Sequence, residues 1–224
     1  MVAEPTQLWP EFGLLAASVA LRSVDGRVGR EAERARTFTG SDARAGDRVA
    51  AMLAVTSVGY GVSQWVSGDR GELLEVFAES LVVGETITAG LKVATRRDRP
   101  HAPPDGSRKS FPSSHATLAF VGATVLARAV DDSSEAWPSK LGWLAMLPAA
   151  FIATNRVEAG RHHPSDVTAG ALVGMVTANW IYNAHFGLRG TDAPSILTRA
   201  KRVRFAVEPF GDGERMGIGL SLRF

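Results

Sequence analysis

Apolar residues recur at three- and four-residue intervals along most of the chain. Between positions 72 and 95 they occupy 73, 74, 77, 81, 87 and 91, a spacing that places them on one face of an α-helix. Comparable runs, separated by loops rich in Gly, Pro and charge, predict further helices over about 48–66, 114–130, 139–155 and 165–186. We therefore predict an all-α fold, a helical bundle, for most of the chain.

The pattern changes after Arg204. Apolar residues then alternate with polar ones, first at Phe205 and Val207 and again over 216–224, on either side of the sequence GDGE. Alternation with a period of two around a turn predicts a small C-terminal β-hairpin.

These patterns divide the chain into three parts. We predict an N-terminal segment, 1–47, that packs on the core, a helical core, 48–190, and a C-terminal hairpin tail, 191–224. The N-terminal segment contains the sequence GREAERAR, which is compatible with a short helix or with an exposed turn.

Composition narrows the class of protein. Hydrophobic residues make up 45% of the chain and charged residues 21%, which is typical of a globular protein and not of a disordered one. A net charge of +2 is too small to indicate a nucleic-acid surface. The chain has no cysteine, which excludes disulfides, thiolate metal sites and cysteine nucleophiles.

Two stretches without charge, 49–68 and 167–186, are long enough to cross a bilayer. They contain polar residues, among them Gln64, Asn179 and Asn183, and the mean hydropathy of the chain is only +0.01. We therefore predict buried core helices at both places and not membrane spans. The N-terminus lacks the pattern of a signal peptide, so we expect a cytoplasmic protein or one whose signal was removed.

Two clusters of polar residues surround the loop 96–112. Lys92 lies near a predicted helix end and Arg99 follows in the loop, where cations commonly complement a helix dipole. Ser113 and His115 then lie at a predicted helix N-terminus, whose free N–H groups suit an anion. Each cluster alone has an ordinary structural explanation.

The third cluster precedes the helix predicted over 165–186. Pro164 favours the first helical turn and leaves His162 in the loop before it. Asp166 is then placed to accept a hydrogen bond from an imidazole, fixing its tautomer and leaving the other nitrogen free to attack. The alternative is that Asp166 only complements the helix dipole and that the histidines are exposed.

The three clusters together read K-x6-R-P, P-S-x-H and R-x5-H-x3-D, in that order, within residues 72–186. This arrangement resembles the three-part signature of the type 2 phosphatidic acid phosphatase and vanadium haloperoxidase superfamily. The resemblance implies a helical bundle of that type and a single anion site built from all three clusters.

The resemblance also implies a role for each motif residue. His162 would attack phosphorus and form a phosphohistidine, Asp166 would orient it, and His115 would protonate the leaving oxygen and then activate water. The residues implied to bind phosphate are Lys92, Arg99, Ser113, Ser114 and Arg156. No metal or other cofactor is implied, and phosphate or vanadate would occupy the site.

Two positions depart from the family pattern. Ser114 stands where the family usually has Gly, so its backbone N–H contact to phosphate requires a conformation that a residue with a Cβ tolerates. Asn155 stands where the family usually has Ser, which affects one supporting contact. Four other residues flank the motifs and are expected to be solvated loop charges, the alternative being that they line the site entrance and select an anionic substrate: Arg96, Arg97, His101 and Arg161. His163 is one position out of register and is expected to be a neighbour that tunes the site.

The expected function is a metal-independent phosphatase for phosphate monoesters or diphosphates, with lipid phosphates among the candidate substrates. We expect a cell-envelope enzyme in the periplasm with peripheral membrane contact, the alternative being an integral membrane protein. No nucleic-acid partner is expected. Two alternative functions remain: a vanadium-dependent haloperoxidase, in which His162 would be the axial vanadate ligand, and a non-catalytic envelope binding protein.

Overall fold

Seven α-helices form most of the described part of the chain. The structure is a computed structural model, and it describes residues 9–35, 44–68, 71–101, 109–133, 141–187, 204–211 and 216–223. The helices are α1 (Trp9–Arg22), α2 (Asp25–Ala35), α3 (Ala45–Ser67), α4 (Leu73–Thr95), α5 (Ser114–Ser133), α6 (Met146–Glu158) and α7 (Pro164–Phe186), and a short 3-10 helix (Leu141–Ala145) precedes α6. The predicted all-α fold is confirmed.

Proline and glycine mark several of the helix ends. Pro164 opens α7, because its fixed φ suits a first helical turn and its missing N–H leaves no donor unpaired there. Gly68 follows α3 with a φ of 77°, the left-handed conformation that commonly ends a helix. Residues 29–35, all of GREAERAR except its last position, belong to α2, so this sequence forms a helix and not an exposed turn.

Helix α5 lies at the centre of the bundle and packs against α3, α4, α6 and the 3-10 helix. Small and apolar residues around most of its circumference are buried, as is typical of a helix enclosed by others: Ala116, Ala119, Val121, Ala123, Val125, Ala127 and Ala129. Leu53 of α3 and Ile152 of α6 join Ala119 and Ala123 in one apolar cluster.

Two glycines allow α7 to approach the backbone of α5. A Cβ on Gly170 would lie 2.5 Å from the Ser113 carbonyl oxygen, and one on Gly174 would lie 2.5 Å from the Thr117 carbonyl oxygen. Those distances exclude any side chain unless the helices move apart. The two glycines therefore set the spacing between the helix ends that carry the second and third sequence motifs.

The prediction that 49–68 is a buried core helix is wrong, whereas in the stretch 167–186 half of the residues are buried and only Val176 and Trp180 are exposed. Only 17% of the most apolar 18-residue window of α3 is buried. The helix packs through a narrow stripe of Leu53, Ser57 and Gly61, four residues apart, and its other faces turn large apolar side chains outward. By length and composition, α3 alone among the described helices qualifies as a candidate membrane span.

The chain separates into two compact units, Met1–Ile181 and Tyr182–Phe224. The first contains α1–α6 and most of α7. The second contains strands β1 (Arg204–Gly211) and β2 (Met216–Arg223), which pair antiparallel with Val207 opposite Leu220, as the alternating pattern predicts. Gly211, the first residue of the sequence GDGE, ends β1, and residues 212–214 and the predicted boundary at 190/191 lie outside the described residues.

Candidate active site

A pocket of about 240 Å³ opens among the ends of α3, α5 and α6 and the loops on either side. Four of its lining residues come from the sequence motifs: Arg99, His115, Arg156 and His162. The other three are Arg44, Asp47 and Arg161. Residues from all three motifs thus face one cavity whose lining contains a single carboxylate.

The turn after α6 brings His162 next to Arg156. Gly160 has a φ of 63°, which favours glycine, and a Cβ there would lie 2.4 Å from the His101 ring. Past this turn the backbone N–H groups of Arg161 and His162 both donate to the Arg156 carbonyl, at 3.0 and 3.2 Å. The guanidinium and the imidazole therefore reach the same pocket from one tight turn.

The His162 imidazole is 5% exposed and held by a backbone group. Its Nδ1 lies 2.9 Å from the Ser110 carbonyl oxygen, so Nδ1 is the donor and Nε2 keeps its lone pair. Burial is the main cause that lowers the pKa of His162, and the contact with Asp166 opposes it. The imidazole is consequently neutral at neutral pH, as a nucleophile requires.

Asp166 lies beside His162, but the hydrogen bond expected from the imidazole goes to Ser110 instead. The Asp166 Oδ2 is 3.7 Å from His162 Nδ1, an ion-pair distance and not a hydrogen bond. The carboxylate accepts from the Ser110 hydroxyl at 2.5 Å, the His163 backbone N–H at 2.8 Å and Arg97 Nη1 at 2.7 Å. Burial by itself raises the pKa of Asp166, but these donors and its contact with His162 hold that pKa below its ordinary value.

His115 occupies the opposite, more open side of the pocket. Its Nε2 lies 3.3 Å from Asp47 Oδ1, and its side chain is 45% exposed. Burial and then the Arg156 charge lower the pKa of His115, whereas Asp47 raises it. Asp47 also pairs with Arg156, so one carboxylate contacts both an imidazole and a motif guanidinium.

Two buried donors in the pocket lining have no protein partner among the described residues. They are the Nε–H groups of Arg99 and Arg156. A buried N–H without an acceptor costs about 1–3 kcal/mol, more for a charged group, so such groups generally meet a ligand or water. Their common pocket makes an oxyanion the natural acceptor.

The other predicted phosphate ligands do not line the pocket. Lys92 Nζ donates to the backbone carbonyls of Lys109, at 3.1 Å, and Pro112, and burial lowers its pKa. Ser113 is buried and caps α5 by accepting from the Ala116 N–H at 3.5 Å, while its own N–H donates to the Asp166 carbonyl at 3.0 Å. Both residues tie the motifs together from behind the pocket.

The two departures from the family pattern have distinct surroundings. The Ser114 hydroxyl contacts Glu85, a carboxyl whose pKa is raised mainly by burial. The Asn155 amide packs against Gly46 at the start of α3, where a Cβ would lie 2.2 Å from Asn155 Oδ1. The side-chain oxygen and nitrogen of Asn155 have no hydrogen-bond partner in the described part of the structure.

Sequence reasoning missed several residues of this region. Arg97 was expected to be a solvated loop charge, which is wrong: its side chain is 17% exposed and pairs with two carboxylates. Asp25, Asp47 and Ser110 carry no local motif, since each acts through a contact with a residue far away in the chain. Within the described ranges, no three His, Asp or Glu side chains are grouped as a metal site requires.

Comparison with known proteins bears on this arrangement. The PAP2 superfamily model matches residues 74–189, slightly more than half of the chain. The chain belongs to the PAP2 superfamily. The resemblance read from the three motifs is thereby confirmed, and the helical bundle is a PAP2 bundle.

Individual PAP2 relatives are more distant. Lipid phosphate phosphatase 1 of Arabidopsis thaliana is 28% identical in an alignment of 139 positions that covers 48% of this chain and 42% of that protein. Bacitracin transport permease protein BcrC of Bacillus licheniformis is 34% identical over 74 residues, 33% of this chain and 32% of that protein. The chain therefore spans less than half the length of these two relatives. Aquifex aeolicus LpxE superposes with a TM-score of 0.49 at 22% identity, over 66% of this chain and 92% of that one.

Proposed function

We propose that this PAP2 protein is a phosphatase that hydrolyses phosphate esters, lipid phosphates in particular, through a phosphohistidine at His162. One observation carries the proposal. Arg99 and Arg156, each with a buried Nε–H that has no acceptor among the described residues, line the same pocket as His162. That combination offers an anion-binding pair and a nucleophile at one place.

In the first step the Nε2 lone pair of His162 forms a bond to phosphorus as the bond to the ester oxygen breaks. His115, protonated, gives its proton to the leaving oxygen. Arg99 and Arg156 donate to the non-bridging oxygens, over which the transition-state charge is spread. Lys92 adds its positive charge from behind the pocket.

In the second step the now neutral His115 takes a proton from water. The water oxygen bonds to phosphorus as the N–P bond breaks, which releases inorganic phosphate and regenerates neutral His162. His115 ends protonated, as it began. One imidazole thus serves as acid and then as base, and the other serves as nucleophile throughout.

The anion competes with Asp47 for Arg156, whose Nη2 pairs with Asp47 while its Nε–H has no partner among the described residues. The Asp47 carboxylate pairs with Arg156 and lies beside His115, the position in which the phosphate of an ester would place its own negative charge. Exchange of one anion for the other keeps the guanidinium paired and preserves the field that favours protonated His115. Asp47 is therefore both a competitor of the substrate and a support for the acid.

An apolar groove that shares helix α3 with the pocket supports a lipid substrate. Its volume is about 830 Å³, within the usual range for ligand sites, and its lining is drawn from α3, α5, the 3-10 helix and the start of α6. Val49, Met52 and Tyr60 of α3 line the groove, and Asp47, two residues before Val49, lines the phosphate pocket. Helix geometry puts about 20 Å between Asp47 and Tyr60, enough for one leaflet of hydrocarbon, about 15 Å.

We also propose a cell-envelope location, on the periplasmic face of a membrane. The large apolar side chains that α3 turns outward support it, among them Met52 at 67%, Val55 at 72% and Val66 at 73% exposed. Such a surface, next to the groove, fits contact with lipid better than contact with water. Recovery of the protein with the membrane fraction after lysis tests this location.

Trapping of the covalent intermediate tests the proposed mechanism. Incubation with a radiolabelled soluble phosphate ester, followed by an alkaline quench that preserves phosphohistidine, is expected to label the wild-type chain and not His162→Ala. The matched control is His163→Ala, which keeps the backbone N–H that donates to Asp166 and should keep most of the label. Label on His162→Ala, or its loss in His163→Ala alone, would refute the assignment of the nucleophile.

A further inference from the structure

A buried ionic network lies behind His162, on the side away from the pocket. It begins at Asp25, the first residue of α2, which is 4% exposed. The Asp25 carboxylate accepts from the Ser165 backbone N–H at 2.9 Å, the Ser165 hydroxyl at 2.6 Å and Arg97 Nη2 at 2.6 Å. None of these contacts involves a residue of the mechanism above.

Arg97 connects this carboxylate to the one beside the nucleophile. While Nη2 donates to Asp25, Nη1 donates to Asp166 Oδ1 at 2.7 Å and reaches the Ser165 hydroxyl oxygen at 2.7 Å. The guanidinium thus lies between two carboxylates that are almost completely buried. The backbone supports this placement, because the Ser110 N–H donates to the Arg97 carbonyl at 2.9 Å.

We propose that Asp25 and Arg97 are positioning residues that fix the Asp166 carboxylate and, through it, the orientation and charge of the His162 imidazole. This inference rests on the proposed function, because it assigns a role relative to the nucleophile. Neither residue touches the pocket. Their effect is transmitted along one chain of contacts, Asp25 to Arg97 to Asp166 to His162.

The geometry explains why two residues are needed. Arg97 is a long side chain, and an arginine with one partner could turn its whole planar fork towards Asp166 or towards solvent. Because Asp25 holds Nη2, only Nη1 is directed at Asp166. Asp166 Oδ2 remains for Ser110 and the His163 N–H, the groups next to the imidazole.

The proposed positioning role also predicts the direction in which the pKa of His162 changes when either charge is removed. His162 lies within the fields of Asp166, Lys92, Arg99 and His115. Asp166 in turn is next to Arg97 and interacts with Lys92. Without the Arg97 cation, Asp166 stabilises protonated His162 more strongly, so the pKa of His162 rises. Without the Asp25 anion, the positive charge of Arg97 is less compensated and disfavours protonated His162, so that pKa falls. The two losses therefore move the titration of His162 in opposite directions.

The network also links α2 to the catalytic centre. Asp25 lies before residue 74, where the PAP2 match begins. The N-terminal segment therefore contributes to the site behind the nucleophile, in addition to packing on the core.

The experiment compares Asp25→Asn, Arg97→Gln, Arg97→Lys and the double variant Asp25→Asn/Arg97→Gln. The matched control is Arg96→Gln, the same change at the neighbouring exposed arginine. For each protein, kcat, KM and the pH profile of kcat/KM are measured on a soluble phosphate ester. The His162 ring is titrated by NMR, with its signal assigned by its absence in His162→Ala.

Arg97→Gln is expected to lower kcat about 10- to 100-fold with little change in KM, the size of one lost charge-assisted hydrogen bond. The acid limb of the kcat/KM profile reports the loss of a proton from His162. It should move to higher pH in Arg97→Gln and to lower pH in Asp25→Asn. Arg97→Lys keeps the positive charge but lacks the planar fork of donors. The acid limb of its pH profile should therefore stay at the wild-type pH, while kcat falls. The double variant should be no slower than Arg97→Gln, because Asp25 acts through Arg97.

Two outcomes of this experiment would overturn the proposal. Variants whose kcat and acid limb match Arg96→Gln would overturn the proposal, and so would limbs that move in the same direction. The double variant removes the buried Asp25 charge together with its Arg97 partner and leaves Asp166 with its donors from Ser110 and His163, so it should fold even if Arg97→Gln alone does not. If wild type hydrolyses no ester, the proposed function fails, and the NMR titration of His162 still decides whether Asp25 and Arg97 control its charge.

Discussion

The two histidines of the site differ in the carboxylate beside them. His162 is buried next to Asp166, which is itself paired with Arg97 and therefore fixed in place. His115 is half-exposed next to Asp47, a carboxylate that is 54% exposed and shared with Arg156. Burial lowers the pKa of both rings, and at His115 the Asp47 carboxylate opposes that effect. Asp47 thus helps His115 to keep the proton that an acid needs, whereas His162 is the fixed, neutral ring that a nucleophile needs.

Asp47→Asn tests the support of the acid at the scale of one residue. Because Asp47 raises the pKa of His115, its removal should lower that pKa. His115 then loses its proton at lower pH, so the alkaline limb of the kcat/KM profile should move to lower pH. Arg156 also loses a competing partner, so vanadate should inhibit more tightly.

Glu31→Gln is the matched control, since Glu31 is an exposed carboxylate outside the site. It should change neither the alkaline limb nor inhibition by vanadate. An alkaline limb that moves to higher pH in Asp47→Asn would contradict the assignment of His115 as the acid supported by Asp47.

At the scale of helices, the site depends on how closely α7 approaches α5. Ser113 and His115 lie at the start of α5, and His162 and Asp166 lie around the start of α7. The Ser113 N–H donates to the Asp166 carbonyl at 3.0 Å, so the two helix ends are directly bonded. Gly170, one turn further along α7, keeps that distance short.

Gly170→Ala should therefore destabilise the fold and lower activity. The added Cβ would lie 2.5 Å from the Ser113 carbonyl oxygen, an overlap that should cost about 1–3 kcal/mol. Thermal unfolding measures the loss, and phosphate release from a soluble ester measures the effect on the site.

The control for this substitution is Gly59→Ala in α3, where an added Cβ meets nothing within 4 Å. There alanine should stabilise the helix by up to about 1 kcal/mol. Equal melting temperatures for the two variants would show that the α5–α7 approach is not tight.

At the scale of the whole molecule, the polar pocket and the apolar groove share helix α3. The start of α3 supplies Asp47 to the pocket, and the following turns supply Val49 and Met52 to the groove. A substrate with an ionic head and a hydrocarbon tail matches this division. The exposure of α3 thus has a functional explanation in the proposed reaction.

Thr56→Trp places an indole in the groove and should separate the two parts of the substrate site. The kcat/KM for a phosphatidate-type lipid should fall at least about tenfold relative to that for a soluble chromogenic phosphate ester, since one tenfold step is about 1.4 kcal/mol of lost contact. Assays of both substrates in the same detergent give this ratio.

The control is Val55→Trp, which adds the same side chain at the preceding position. Val55 is exposed but does not line the groove. Its ratio of lipid to soluble activity should equal that of wild type. Equal losses for both substrates in Thr56→Trp would indicate a general defect and would count against a lipid site in the groove.

Much of the fold was predictable because it is locally encoded. The spacing of apolar residues gives α4 within one residue at its start, and Pro164 marks the start of α7. The exposure of α3 was not predictable from its own residues. It is apolar around much of its circumference, and only the packing of its neighbours decides which faces are covered.

The candidate site likewise contains residues that the sequence predicts and residues that it does not. His115, His162, Arg99 and Arg156 follow from motifs of fixed spacing, and the structure places all four around one pocket. Arg97 appears in the sequence as one more charge in an arginine-rich loop. Its two carboxylate partners come from α2 and α7, 72 and 69 residues away, so no local pattern indicates them.

By itself, the sequence determined the helices, the terminal hairpin pattern and the PAP2 motifs, because each is encoded over a few turns of chain. The tertiary structure alone decided which groups support each histidine: Ser110 and Arg97 behind His162, and Asp47 beside His115. The physical reason is that a hydrogen bond or ion pair depends on distances of about 3 Å between side chains. Only the packing of whole helices sets such distances between residues far apart in sequence.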